Sequence, residues 1–179
     1  MPKYVAFLRA INVGGRTVKM DVLRGLFETM GFSSVETFIA SGNVIFDSHS
    51  ENASSLESQI EAHLQKSLGY AVATFIRSIP EVAHIVRTKP FPDSEMGAQG
   101  HTVYIAFLGE NPSDRARQKL LGFVTEMDNF HVDGREVYWL CRTRMSESAF
   151  SGALLEKSLG MQTTIRNLTT VTKIASKYA

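Results

Sequence analysis

With 179 residues, 44% of them hydrophobic and 21% charged, the chain has the profile of an ordinary globular protein long enough to bury a core. Its 19 basic and 18 acidic residues leave a net charge of +1, so the footprint expected of a binder of nucleic acid or anionic membrane is missing. Cys141 is the single cysteine, which excludes an internal disulfide and suits a reducing compartment.

In chain order, Tyr4 to Arg9 reads as a strand of aromatic and aliphatic residues. The apolar run there is too short for a signal peptide, and no run approaches the ~18 apolar residues that span a bilayer. A cytoplasmic location is the expectation. A Gly-rich connection, Ala10 to Arg16, leads to a helix face made by Val22, Leu23, Leu26, Phe27 and Met30, with Gly31 as its stop. Val35 to Ala40 and Val44 to Asp47 form two strands around Ser41-Gly42-Asn43, a hairpin signal. Leu56, Ile60, Leu64 and Leu68 define a second helix closed by Gly69, and Ala73 to Arg77 the next strand. Pro80 stands in the first turn of the helix that follows, where its missing N–H costs nothing.

Residues 91–100 fall in a stretch rich in proline, glycine and polar side chains and read as a linker. The pattern then restarts: a strand from His101 to Leu108, then a helix opened by Asn111-Pro112 and running through Leu120, Phe123, Val124 and Met127. A hairpin turns at Asp133-Gly134, and Val137 to Cys141 is its second strand. Ser151 to Leu159 is a helix, Thr163 to Arg166 a strand, and Leu168 to Tyr178 the last helix.

The chain also repeats itself. Leu64-Gln65-Lys66-Ser67-Leu68-Gly69 returns as Leu155-Glu156-Lys157-Ser158-Leu159-Gly160, and Thr74, Ile76, Arg77, Ile79, Val82 and Ile85 return as Thr163, Ile165, Arg166, Leu168, Val171 and Ile174. One unit was built twice. Each copy reads β-α-β-β-α-β with a trailing helix, so the fold class is α+β, an internal duplication of a ferredoxin-like unit. The expected organisation is a first unit over 1–90, a linker over 91–100 and a second unit over 101–179. Crossover rules place the first and second strands of each unit parallel, with the third antiparallel between them. Strands apolar on both alternating faces, such as Tyr4–Leu8 and Val103–Leu108, are expected to be buried on both sides.

Three phrases are similar to one known family: Leu8-Arg9-Ala10-Ile11-Asn12-Val13-Gly14-Gly15, Ser41-Gly42-Asn43-Val44-Ile45-Phe46, and Thr164-Ile165-Arg166-Asn167 with Thr170-Val171. Together they resemble the bacterial domain-of-unknown-function 1697 family over essentially the whole chain. The resemblance implies a fold and no established activity. That family usually has glycine where this chain has Ala10, and often tryptophan at Leu168. Alanine at position 10 implies a backbone that need not take positive φ.

The candidate site is the connection from Arg9 to Lys19, which leads from a strand into a helix N-terminus, where free N–H groups favour an anion. Gly14 and Gly15 allow close approach of the backbone, Arg9, Arg16 and Lys19 add positive charge, and Asn12 adds an amide. The turn Ser41-Gly42-Asn43 should lie at the same sheet edge. Against this, neither a G-x-G-x-x-G nor a G-x-x-x-x-G-K-[ST] pattern is present, and Asp21 stands where it would repel an anion. One asymmetry favours a ligand: the matching connection of the second unit, Gly109 to Asp114, is acidic and resembles a plain helix cap. Arg166 and Asn167 are a weaker candidate, since Arg77 and Ser78 repeat them and Asn167 suits an N-cap. The five histidines lack metal-ligand spacing, Cys141 reads as a core residue, and no catalytic motif is visible. No cofactor or metal is expected. The best reading is a binder of a small anionic, phosphate-bearing ligand; an interaction or scaffold module, with a homo-oligomer as one form, and an enzyme with a site between the units remain alternatives.

Overall fold

The computed structural model describes residues 1–12, 15, 17–39 and 42–179. The chain divides into two compact units, Met1–Ala83 together with Lys177–Ala179, and His84–Ser176.

The first unit contains β1 (Lys3–Leu8), α1 (Met20–Glu28), β2 (Ser33–Thr37), β3 (Asn43–Asp47), α2 (Ala53–Leu68) and β4 (Thr74–Ser78). Helix α3 (Ile79–Arg87) follows. The sheet order is β2-β3-β1-β4 with every neighbouring pair antiparallel, so β1 and β2 run parallel across β3. Tyr4, Ala6 and Leu8 point to the helical face, where they meet Leu23 and Phe27 of α1 and Leu56, Ile60 and Leu64 of α2. Each fully buried Leu, Ile or Phe among them is worth about 1.5–3 kcal/mol. Val5 and Phe7 alternate with them and are equally buried, so the strand is covered on both faces. Val22, which the spacing assigns to the inner face of α1, lies on the outside instead, 51% exposed.

The second unit repeats the order. After the one-turn helix α4 (Asp93–Met96) come β5 (Thr102–Leu108), α5 (Asp114–Leu121), β6 (Asp128–Asp133), β7 (Glu136–Cys141), a 3₁₀ turn at Met145–Glu147, α6 (Gly152–Leu159), β8 (Thr163–Asn167) and α7 (Leu168–Tyr178). Its sheet order, β6-β7-β5-β8, is the same, again antiparallel throughout. Leu8 pairs with Thr74 and Tyr4 with Ser78, while Leu108 pairs with Thr163 and Tyr104 with Asn167. That register equates Tyr4-Val5-Ala6-Phe7-Leu8 with Tyr104-Ile105-Ala106-Phe107-Leu108, a third repeat block after the two noted above.

The repeated Leu-x-Lys-Ser-Leu-Gly phrase has a structural meaning. Gly69 and Gly160 both close their helices in the left-handed region, at φ +84° and +70°. Their amides bond back to Gln65 and Glu156 carbonyls at 2.9 and 2.8 Å. Glycine takes that conformation without a Cβ clash.

Three local expectations differ from the structure. Helix α5 is capped by Ser113, whose Oγ accepts from the Ala116 amide at 3.1 Å, and ends at Leu121 rather than continuing to Met127. The apolar spacing of Val124 and Met127 is misleading, since both are exposed. Residues 91–100, which read as a linker, hold α4 and a buried Phe91. Among the described residues no helix is long and apolar enough to cross a membrane.

Candidate functional site

The C-terminal end of β1 is where the two predicted segments meet. Leu8 donates its amide to the Gly42 carbonyl at 2.8 Å, and Phe7 pairs with Asn43. Arg9 donates its amide to Ala73 at 2.9 Å, which ties the start of the connection to β4 as well. Of the predicted residues, Arg9, Asn12, Gly15, Lys19, Gly42 and Asn43 are described, whereas Gly14, Arg16 and Ser41 lie outside the described residues.

Two of these side chains serve the loops themselves. Asn12 Oδ1 accepts the Val18 amide at 2.7 Å, closing the connection on itself. Asn43 is buried, and its Nδ2 donates to the Phe38 and Ile39 carbonyls at 3.0 and 2.9 Å. Ile11 and Val18 anchor the connection in the core, and the Tyr70 hydroxyl donates to the Ile11 carbonyl at 3.3 Å.

The backbone here is strained. Ala10 has φ +55°, contrary to the expectation drawn from its being alanine. Ile39 has φ +50°, an outlier for a β-branched residue. They are two of the three non-glycine residues with positive φ among the described residues. Such strain costs of order 1–3 kcal/mol and persists only where surrounding bonds over-determine it. Gly15, at φ +81°, is exposed, and a Cβ placed on it would meet open space.

Helix α1 begins without a side-chain cap. Lys19 occupies the N-cap position in extended conformation and makes no capping hydrogen bond. Each of the other helices of eight residues or more has one, from Asn52, Ser78, Ser113, Ser151 or Asn167. Asp21, expected to repel an anion, is paired with Arg24 at 2.7 Å.

The remaining predicted residues belong to the second unit. Asn167 Oδ1 accepts the Thr170 amide at 2.9 Å and so caps α7. Arg166 donates from Nη1 to Thr164 Oγ1 and to the Ile165 carbonyl at 2.8 and 2.9 Å, and burial pushes its guanidinium down to about 10. Arg77, its repeat mate, is buried and donates to the Ile76 carbonyl at 2.9 Å. Both arginines thus make the same strand-local bond. Cys141 is fully buried, and burial pushes its thiol up, the opposite of what a nucleophile needs. Among the described residues no cluster of three or more His, Cys, Asp or Glu side chains could hold a metal ion. Sequence reasoning missed Ile39; only its place beside a Ser-Gly-Asn turn signalled it.

Two antiparallel four-stranded sheets, each from a β-α-β-β-α-β unit with a trailing helix, define a duplicated ferredoxin-like α+β protein. The family model described as "Protein of unknown function (DUF1697)" matches residues 1–138, and the chain belongs to that family. Its solved likeness includes a conserved bacterial protein, SP0830, from Streptococcus pneumoniae, with a TM-score of 0.79 at 20% identity over 99% of this chain and 98% of that one. At that identity the likeness shows the fold alone. No curated protein matches the chain.

Proposed function

We propose that the connection from Arg9 to Lys19, with the turn at Gly42 and Asn43, binds a small anionic ligand bearing phosphate. The observation that supports this best is the start of α1. Among the described residues, no N-cap side chain supplies an acceptor to its first N–H groups as in the other long helices, and a lysine stands in the capping place. An anion would supply the missing acceptor and meet the positive end of the helix dipole. The sequence from Arg9 to Lys19 contributes three cations and no acid. Asp21, in the first turn, is engaged by Arg24. The matching step of the second unit, capped by Ser113 and flanked by Glu110 and Asp114, offers no such vacancy.

A thermal-shift screen against pyrophosphate, nucleotides and phosphorylated metabolites tests this reading. A ligand at 100 times its dissociation constant adds about 2.7 kcal/mol. In a chain of this length that raises Tm by roughly 5–10 °C. The expected result is a hit that Lys19→Glu or Arg16→Glu abolishes. A hit indifferent to both substitutions, or no hit among phosphate-bearing compounds, contradicts the proposal.

A further inference from the structure

We infer that the second unit holds a separate binding site for a small carboxylate with an apolar body, in the cavity between the start of β5, the start of α7 and the turn α4. The cavity has a volume of about 520 Å³. That lies within the range of small-molecule sites, which combine mostly apolar walls with a few placed polar groups. Met96, Val103 and Leu168 supply the apolar surface; Asn167, His101 and Lys173 are among its polar residues.

The chemistry of the polar groups selects the ligand. Among the described residues no acidic side chain lines the cavity; the Glu95 carboxylate, 3.7 Å from His101 Nδ1, is paired with Arg142. Lys173 is exposed, makes no ion pair among the described residues, and only donates hydrogen bonds. The oxygen of the Asn167 amide is taken by the Thr170 amide, which leaves its NH2 group as a donor. His101 Nδ1 donates to the Glu95 carbonyl at 2.8 Å, so in the neutral ring Nε2 is an acceptor and adds no donor to the site. The Lys173 ammonium and the Asn167 NH2 group, beside an apolar wall, match an acceptor-only head on an apolar body, which describes a carboxylate.

The cavity wall contributed by α4 is held in place. Glu95 accepts from Arg142 Nε at 2.8 Å through its carboxylate and from His101 through its carbonyl, so the turn bearing Met96 is pinned at two points. The first unit does not repeat this arrangement. Val103 corresponds in register to Lys3, which is engaged with Asp47 at 2.9 Å. The valine of the wall is therefore particular to the second copy, whereas Leu168 has an apolar counterpart in Ile79.

The test is a 15N–1H titration of the full chain with benzoate, and with benzyl alcohol as its neutral match. Benzoate is expected to give saturable shifts at the amides of His101, Thr102, Val103, Leu168 and Thr169. Benzyl alcohol should bind about tenfold more weakly, and Lys173→Glu should weaken benzoate by about tenfold, equivalent to about 1.4 kcal/mol. Lys157→Glu, an exposed charge reversal elsewhere in the same unit, should leave benzoate binding unchanged. Absence of saturable shifts at these amides, equal binding of benzyl alcohol, or full affinity in Lys173→Glu would overturn the inference. Failure here leaves the phosphate proposal standing, because that is read at different amides with a different probe.

Discussion

Ala10 sits at φ +55°, where an L-residue's Cβ crowds the neighbouring carbonyl oxygen. The conformation is held by bonds on either side of the chain, from Leu8 to Gly42 and from Arg9 to Ala73. Replacing Ala10 with glycine removes the crowding, worth roughly 1–2 kcal/mol. It also loosens the unfolded chain, which costs about 0.4–1 kcal/mol. The net expectation is a gain of about 0.5–1 kcal/mol, read as a higher midpoint in urea with an unchanged slope. A loss of stability would show that the alanine methyl is used in packing. At this scale the sequence was partly misleading. An alanine argues against positive φ as a preference of about a kilocalorie, which two backbone hydrogen bonds can outweigh. The capping of α7 by Asn167 was legible because capping is a local contact within three residues. The bracing of Phe38 and Ile39 by Asn43 was not, since nothing in the residue type says which carbonyls it reaches.

At the scale of elements, the uncapped start of α1 separates a structural role from a functional one. Lys19→Ser would place a good capping residue where none exists, and capping contributes about 0.5–2 kcal/mol. The account therefore predicts that Lys19→Ser stabilises the free protein while weakening its response to a phosphate-bearing ligand. Matched denaturation curves and ligand titrations check this. If Lys19→Ser bound the ligand as well as the parent chain, the vacancy at α1 would have no part in binding.

The turn α4 gives a pH prediction. The hydrogen bond from Arg142, aided by its charge and by His101, holds the Glu95 carboxyl below the usual range despite an opposing desolvation. A depressed carboxyl favours the folded state above the unfolded pKa, and that contribution is lost as pH falls through the lower folded value. The Tm difference between the parent chain and Arg142→Gln should shrink as pH falls from about 5 to about 3, since free Glu titrates near 4.3. A difference that stays constant over this window would mean the pair does not pin the turn. Boundaries were the least legible part of the elements. Val124 and Met127 continue an apolar spacing past Leu121, yet Gly122 closes α5 and the following residues form a turn.

For the molecule as a whole, the fold was legible because it is encoded redundantly. The order β-α-β-β-α-β occurs twice, and both copies place the same arginine opposite the same strand position, Val5 with Arg77 and Ile105 with Arg166. Errors at a helix end do not disturb such a pattern. The site has no second copy to check against: its residues are few, several have structural uses, and membership of a family of unknown function adds no chemistry. Its one asymmetry, three cations in the first connection against acids in the second, was visible in the sequence. The missing cap behind it needed coordinates.

The most direct measurement is a 15N–1H titration of the full chain with pyrophosphate, followed at the amides of Gly15, Val18, Lys19, Met20 and Gly42. The account predicts saturable shifts confined to those amides, with affinity lowered by about tenfold or more in Lys19→Glu. Shifts that never saturate, or saturable binding that Lys19→Glu leaves intact, would contradict it.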